Sequence, residues 1–239
     1  MNEKLLIPIS IVIAAVLIGG AILFTNSQEP VVVTQPNTQP QSQEEPDIRA
    51  VSDSNDRIIG SADAELFVVE YSDIDCPFCK RYHDQVLNRL VQEYGDNDRI
   101  AFVFRHFPLD EPFTNPIHPA ATESAVASEC VASLAGDESF FTFLDKLFAD
   151  EETGSLSDTA LLVKLSQYAV ESGAEKVAFE NCYATFDTTK VEADFNDGRD
   201  GGVQGTPTVF VQTNSGENYL ASPDYNVLKQ AIDVFLGEN

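Results

Sequence analysis

The chain has 239 residues, of which 39 are acidic and 14 basic, for a formal net charge of −25. That balance argues against nucleic acid as a partner, because phosphate recognition needs clustered Lys and Arg; it favours solubility and repulsion from anionic surfaces. Aromatic residues, mostly Phe, make up 10% of the chain, enough for a real core and too many for a chain disordered throughout.

The first predicted element is an uncharged apolar run over residues 5–24. Its 20 residues suffice to cross a bilayer of about 30 Å as a helix. Lys4 and the α-amino group precede it and the next basic residue is Arg49, a bias that keeps the N-terminus inside and sends the rest outside. A cleavable signal peptide is the competing reading, but its apolar region is usually shorter and no clean Ala-x-Ala site follows Phe24. The expectation is an uncleaved anchor over residues 1–24. Residues 25–56 are rich in Gln, Pro, Ser, Asn and Glu, with Pro30, Pro36, Pro40 and Pro46 spread along them, and read as an extended tether. Residues 57–239 remain as one folded domain with 12 basic and 32 acidic residues, a net charge of −20.

Residues 66–71 read as a strand buried on both faces. The strand leads into Cys76-Pro77-Phe78-Cys79, and beyond it apolar residues recur at Tyr82, Val86, Leu87, Leu90, Val91 and Tyr94, the spacing of a buried helix face. The helix therefore opens at Pro77, where a missing N–H is no loss, and ends near Gly95. Cys79 falls on the apolar stripe and is expected to point inward. Cys76 lies at the helix mouth, where unpaired N–H groups and the macrodipole favour a thiolate, and is expected to be exposed. Thiol–disulfide exchange needs this arrangement. The alternative for a lone C-x-x-C is zinc, but that would require Cys130, Cys182 or histidines to complete a tetrahedral set, and neither remaining cysteine lies in a second such pair.

A second strand over 100–107, stopped by Pro108, completes a βαβ unit, hence parallel and right-handed. From about 116 to 202 the period is helical, with helices expected near 120–135, 138–148, 158–172, 175–183 and 188–200. Strands resume at 208–212 and 218–221 around a turn at 214–216, and a last helix covers 224–236. The fold class is α/β with an all-helical insertion.

The Glu-Tyr-Ser-Asp approach at 70–73, Cys76-Pro77-Phe78-Cys79, the Phe-Arg-His-Phe-Pro-Leu segment at 104–109 and the turn Gly205-Thr206-Pro207-Thr208 together give residues 57–239 a likeness. The domain resembles the thioredoxin fold of DsbA-like thiol–disulfide oxidoreductases, with their helical insertion. The resemblance implies that Pro207 is a cis-proline facing the cysteines and that Thr206 offers backbone hydrogen bonds to an extended substrate segment, Phe78 adding to the same binding surface. Read alone, Pro207 is only a turn before a strand. Resemblance also casts Glu70 as the proton acceptor for Cys79, the alternative being a satisfied structural carboxylate. Phe78 departs from the His of the best-known oxidising members, which leaves the reduction potential open.

Lys80, Arg81 and His83 form the one basic cluster, read either as a field that lowers the Cys76 pKa or as a solvated helix face. His106 and His118 show no partner and read as structural. Outside the cytoplasm the leftover Cys130 and Cys182 are expected to pair, closing a loop worth roughly 4 kcal/mol in the chain-entropy model; two buried free thiols are the alternative. The functional expectation is a membrane-anchored dithiol oxidase at the cell surface or in a periplasm, a monomer without metal or organic cofactor. Its substrates would be thiol-containing exported proteins, and a membrane redox partner would reoxidise it. A reductase or isomerase of the same fold, or a redox-inactive thioredoxin-fold binding module, are the rivals.

Overall fold

In the computed structural model, residues 46–110, 118–156 and 158–237 are described. The chain runs through β1 (Arg57–Ile59), β2 (Leu66–Ser72), α1 (Pro77–Tyr82), a π-helical turn (His83–Leu87), α2 (Asn88–Tyr94) and β3 (Ile100–His106). Five helices follow: α3 (Ala121–Ala135), α4 (Asp137–Ala149), α5 (Asp158–Glu171), α6 (Lys176–Thr185) and α7 (Thr189–Asp200). β4 (Thr208–Thr213), β5 (Asn218–Ala221) and α8 (Tyr225–Leu236) complete it. The sheet order is β1-β3-β2-β4-β5, with β2 and β3 parallel and the other neighbours antiparallel. Every residue of β2 and β3 is buried, so each strand opens on an apolar run, residues 66–69 and 100–104, and carries its polar residues at the C-terminal end.

Leu66, Val68, Ile100 and Phe102 meet Leu90 of α2 and Ile232 of α8 on one face. Phe67, Val69 and Tyr71 meet Phe107, Phe195 and Phe210 on the other. Here α7 comes very close: a Cβ added at Gly198 would lie 2.7 Å from the Tyr71 ring, so only glycine fits. The sequence spacing predicts one uninterrupted helix after Pro77, whereas the structure inserts the π-helical turn. Tyr82, Val86, Leu90 and Tyr94, four residues apart, all reach one core; on a 3.6-residue helix each such step drifts by about 40°. The wider i→i+5 turn takes up that drift.

The helical excursion has its own core around Phe140, Phe143, Leu144, Leu165 and Phe179. Cys130 of α3 and Cys182 of α6, 52 residues apart, are joined by a disulfide with Cα atoms 5.8 Å apart. Replacing both by Ala should lower stability by about 2–4 kcal/mol, because the unfolded chain regains the freedom the link removes. Urea midpoints of the variant and of the wild type would check it, and equal midpoints would refute a stabilising role.

β1 was not among the expected strands, since three residues carry too little pattern. It pairs with β3, and the Arg57 guanidinium ties it to Glu129 of α3 and Asp137 of α4. The tether expected over 25–56 also ends earlier than the sequence implies. Ile48 is buried, and the Arg49 guanidinium pairs with Asp56, Asp194 and Asp197. One apolar residue and one arginine are invisible in a polar, Pro-containing window, yet they match a ready-made acidic site on α7.

Arg105 of β3 is completely buried. It donates to Asp56 (2.8 and 3.1 Å), Asp197 (3.0 Å), the Tyr71 hydroxyl (2.9 Å) and the Arg49 carbonyl (3.1 Å). Burial works against the charge of Asp56, but the Arg105 and Arg49 guanidiniums hold its carboxyl below the ordinary value. The expected anchor over residues 5–24 lies outside the described residues. No helix among the described residues is long and apolar enough to cross a membrane.

Candidate active site

Cys76 is the N-cap of α1, with extended backbone and Pro77 at the first helical position. Its own side chain caps nothing, which leaves the sulfur free for chemistry. The expectation of an exposed Cys76 is not met: the residue is 2% exposed and Cys79 wholly buried, both as free thiols. One neighbour covers Cys76. The Thr206–Pro207 peptide, which is cis, crosses in front of it, and the Cys76 thiol donates to the Thr206 carbonyl at 3.7 Å. On the other side Cys76 borders a cleft of about 530 Å³, shared with Asp75, His118, Leu147 and Gly154.

The two sulfurs are electrostatically unequal. The Cys79 thiol, donating to the Cys76 sulfur, brings the Cys76 pKa down to about 6, against its own burial and with help from Thr206 and the backbone N–H groups of Cys79 and Phe78. Burial pushes Cys79 up, and a neighbouring Cys76 thiolate pushes it further. Alkylation of the reduced protein with iodoacetamide should therefore modify Cys76 first, with a rate midpoint near pH 6. Equal labelling of both cysteines, or a midpoint above about 8.5, the free-thiol value, would overturn this ordering.

Glu70 lies in β2 beneath the pair, buried, and neither carboxyl oxygen has a hydrogen-bond partner among the described residues. Burial raises its pKa to about 7; Ser72 and His83 nearby pull the other way. The Ser72 hydroxyl, the Tyr82 hydroxyl and His83 Nδ1 are likewise buried without partners. Glu70 is one of the charges that press on Cys79 and on Tyr82. A carboxyl that titrates near neutrality beside a buried thiol is equipped to exchange a proton with it.

The basic cluster does not act as one group. Lys80 donates to the Asp150 carbonyl, His83 Nε2 bonds Asp145 Oδ1 at 2.6 Å, and Arg81 lies over the Phe78 ring at 5.4 Å. Hydrogen bonds, not this cluster, dominate the lowering of Cys76.

The sequence shows no partner for His118; in the structure its Nδ1 donates to Asp73 Oδ2 at 2.7 Å and its ring lines the cleft beside Cys76. The Asp73 hydrogen bond raises its pKa, burial opposes, and Cys76 and Asp75 add to the rise. Asp73 also accepts from the backbone of Asp75 (2.7 Å) and Leu109 (2.8 Å), while its own N–H faces Cys79 Sγ at 3.5 Å. It ties three segments to the mouth of α1. Asp73 stood in the quoted motif; its partner, 45 residues on, had no spacing that could announce it. His106 does bond a structural partner, Glu129, at 3.0 Å.

Phe78 is 59% exposed and borders a second groove of about 410 Å³, shared with Arg81, Gln85, Arg89, Pro207 and Tyr225. Among the described residues no three His, Cys, Asp or Glu side chains converge as metal ligands. Cys130 and Cys182, two of the residues the zinc alternative could draw on besides histidines, are bonded to each other.

A βαβ unit with C-x-x-C at the helix mouth, a cis-proline opposite and a helical excursion before the returning strands define a thioredoxin-type fold. A family model described as thioredoxin matches residues 52–234, and the chain belongs to that family, its architecture being that of the DsbA-like members. The sequence is 30% identical over 193 residues to the Na(+)/H(+) antiporter NhaA 1 of Mycolicibacterium gilvum; the match covers 80% of this chain but 28% of that protein. It is 28% identical over 183 residues to the probable disulfide bond formation protein D of Bacillus cereus, covering 75% of this chain and 78% of that one. Oxidised BdbD from Bacillus subtilis superposes with a TM-score of 0.64 at 23% identity, over 81% of this chain and 99% of that chain, a likeness of fold.

Proposed function

We propose that this protein is an extracytoplasmic thiol–disulfide oxidoreductase that works as a dithiol oxidase. The observation that carries the reading is the inequality of the two sulfurs: Cys76, at the substrate edge, is a good leaving thiolate near pH 6, and Cys79 behind it is not. In the oxidised enzyme a substrate thiolate attacks Cys76, the Cys76–Cys79 bond breaks, and Cys79 takes up a proton, for which Glu70 is the nearest titrating acid. The second substrate thiol, losing its proton, attacks the substrate sulfur of the mixed disulfide and expels Cys76 as thiolate. The substrate has lost two electrons and two protons; the enzyme carries the electrons as its reduced pair. Thr206 and the cis-Pro207 hold the substrate backbone at the attacked sulfur, and Phe78 covers its flank.

Reoxidation falls to a membrane redox partner, and thiol-containing exported proteins are the substrates. Residues 5–24 anchor the protein, a monomer, with the domain outside the cytoplasm, where oxidants outlast thiol reductants. The relative named for disulfide bond formation supports the oxidising direction. The reduction potential of the Cys76–Cys79 pair tests it: a value near about −120 mV agrees, and one near about −270 mV would make the protein a reductant instead.

A further inference from the structure

The folded domain carries 32 acidic residues against 12 basic ones. Nearly every cation in it is consequently neutralised. Among the described residues of 57–239, Arg57, Arg99, Arg105, Lys146, Lys164, Lys176, Lys190, Arg199 and Lys229 each pair with a carboxylate. The exceptions are Lys80, Arg81 and Arg89, all on the helix that opens at the redox pair. Lys80 spends its ammonium on the Asp150 carbonyl. Among the described residues Arg81 and Arg89 are exposed, have no carboxylate partner, and line a groove that runs from Phe78 and Pro207 along the helix.

Both guanidiniums are positioned by rings. Arg81 lies over Phe78 (5.4 Å) and Arg89 over Tyr225 (3.5 Å). Stacking fixes the plane of the fork and leaves its edge N–H donors free for a bidentate acceptor. Asp224 is the acid that lines this groove, and Glu93 lies beside its Tyr225; both carboxylates have other partners. Asp224 accepts from the N–H groups of Asn226 (2.9 Å) and Val227 (3.2 Å) at the start of α8, and Glu93 takes the Tyr225 hydroxyl and Lys229. Eight residues on an ordinary α-helix would leave Arg89 about 80° out of line with Arg81; the π-helical turn between them brings both to one face.

We infer that this groove selects substrate segments bearing carboxylates, with Arg81 and Arg89 as the specificity determinants; the inference rests on the proposed function. Because the π-helical turn absorbs one residue, Arg81 and Arg89 lie roughly 10 Å apart along the helix axis, as residues seven apart do at ~1.5 Å each. An extended peptide at ~3.3 Å per residue spans that distance in three to four residues. The preferred ligand is thus an extended acidic segment with two Glu or Asp side chains at that spacing, the nearer one beside the reacting cysteine. In a domain whose other surfaces repel anions, these two forks set the register of such a segment against Cys76.

The test uses three synthetic dithiol peptides that differ only at two positions, three residues apart and on the same side of the reacting cysteine, both occupied by Glu, Gln or Lys. Their kcat/KM with the oxidised full-length protein is measured at low and high ionic strength. The expected order is Glu above Gln above Lys, with a Glu-to-Lys ratio of about 10 at low salt, as two surface charge pairs allow, flattening in about 1 M salt. In Arg81→Gln/Arg89→Gln the ratio should fall to about one or below. In Lys176→Gln/Arg199→Gln, which alters net charge equally at exposed pairs outside the groove, it should hold. Because the ratio is taken within one enzyme, a general loss of rate does not disturb it. If all three peptides are oxidised alike, or if the remote pair changes the ratio as much, the inference is wrong and the proposed function stands. If none is oxidised, the oxidase reading fails and takes the inference with it.

Discussion

Replacing Cys76 by Ser should abolish dithiol oxidation, with a loss on the order of 10³-fold or more, the scale on which removal of a covalent nucleophile is felt. Replacing Cys79 by Ala should do something different. Cys76 remains, forms a mixed disulfide with a peptide disulfide, and cannot be released by its neighbour, so a protein–peptide adduct accumulates and is seen by mass spectrometry. The same variant should raise the Cys76 pKa from about 6 toward the free-thiol value, because the Cys79 thiol is the largest of the groups that lower it. An adduct on Cys79 in Cys76→Ala as abundant as that on Cys76 in Cys79→Ala would reverse the assignment of roles.

The second large effect concerns stability. Arg105→Ala leaves Asp56 buried with one of its two cations gone, and strips donors from Asp197 and the Tyr71 hydroxyl. Breaking a buried charge pair from one side costs about 3–5 kcal/mol, visible as a lower urea midpoint. The pH dependence follows from the depressed pKa of Asp56. Its contribution is present above the ordinary carboxyl value of 3.8 and is lost as pH falls through the lower folded value. The gap between wild type and Arg105→Ala should therefore be widest near neutrality and narrow in acid. A fragment beginning at residue 57 lacks Arg49 and Asp56 and should show a comparable loss, whereas one beginning at residue 44 keeps both. Equal stability of the two fragments would mean that the cluster contributes nothing.

These two outcomes also mark where the sequence was legible. β2 and β3 are buried on both faces, so their apolar runs had nothing to be confused with. The helices of the insertion showed because each needs one apolar stripe, and the redox pair showed because its chemistry depends on local spacing. The features that escaped are those made by long-range contact. β1 is a strand only because β3 accepts it; Ile48 and Arg49 are ordered only because α7 presents an acidic site. His118 acquires a function-side position only through Asp73. Cys76 was expected in the open because the helix mouth is open in isolation, and the covering cis-proline loop arrives from 130 residues further along the chain.

The π-helical turn has a consequence for chain length. A π-turn accommodates one residue more than an α-turn while leaving the helix on either side in phase. Two side chains eight apart in number, Arg81 and Arg89, therefore stand where residues seven apart stand on a plain helix. A related protein with one residue fewer between 83 and 87 can keep both the cysteine end and the groove end in place, provided that an alignment opens its gap there. Single-residue deletions should accordingly be tolerated within His83–Leu87 and disruptive within Asn88–Tyr94, where no slack exists to absorb them.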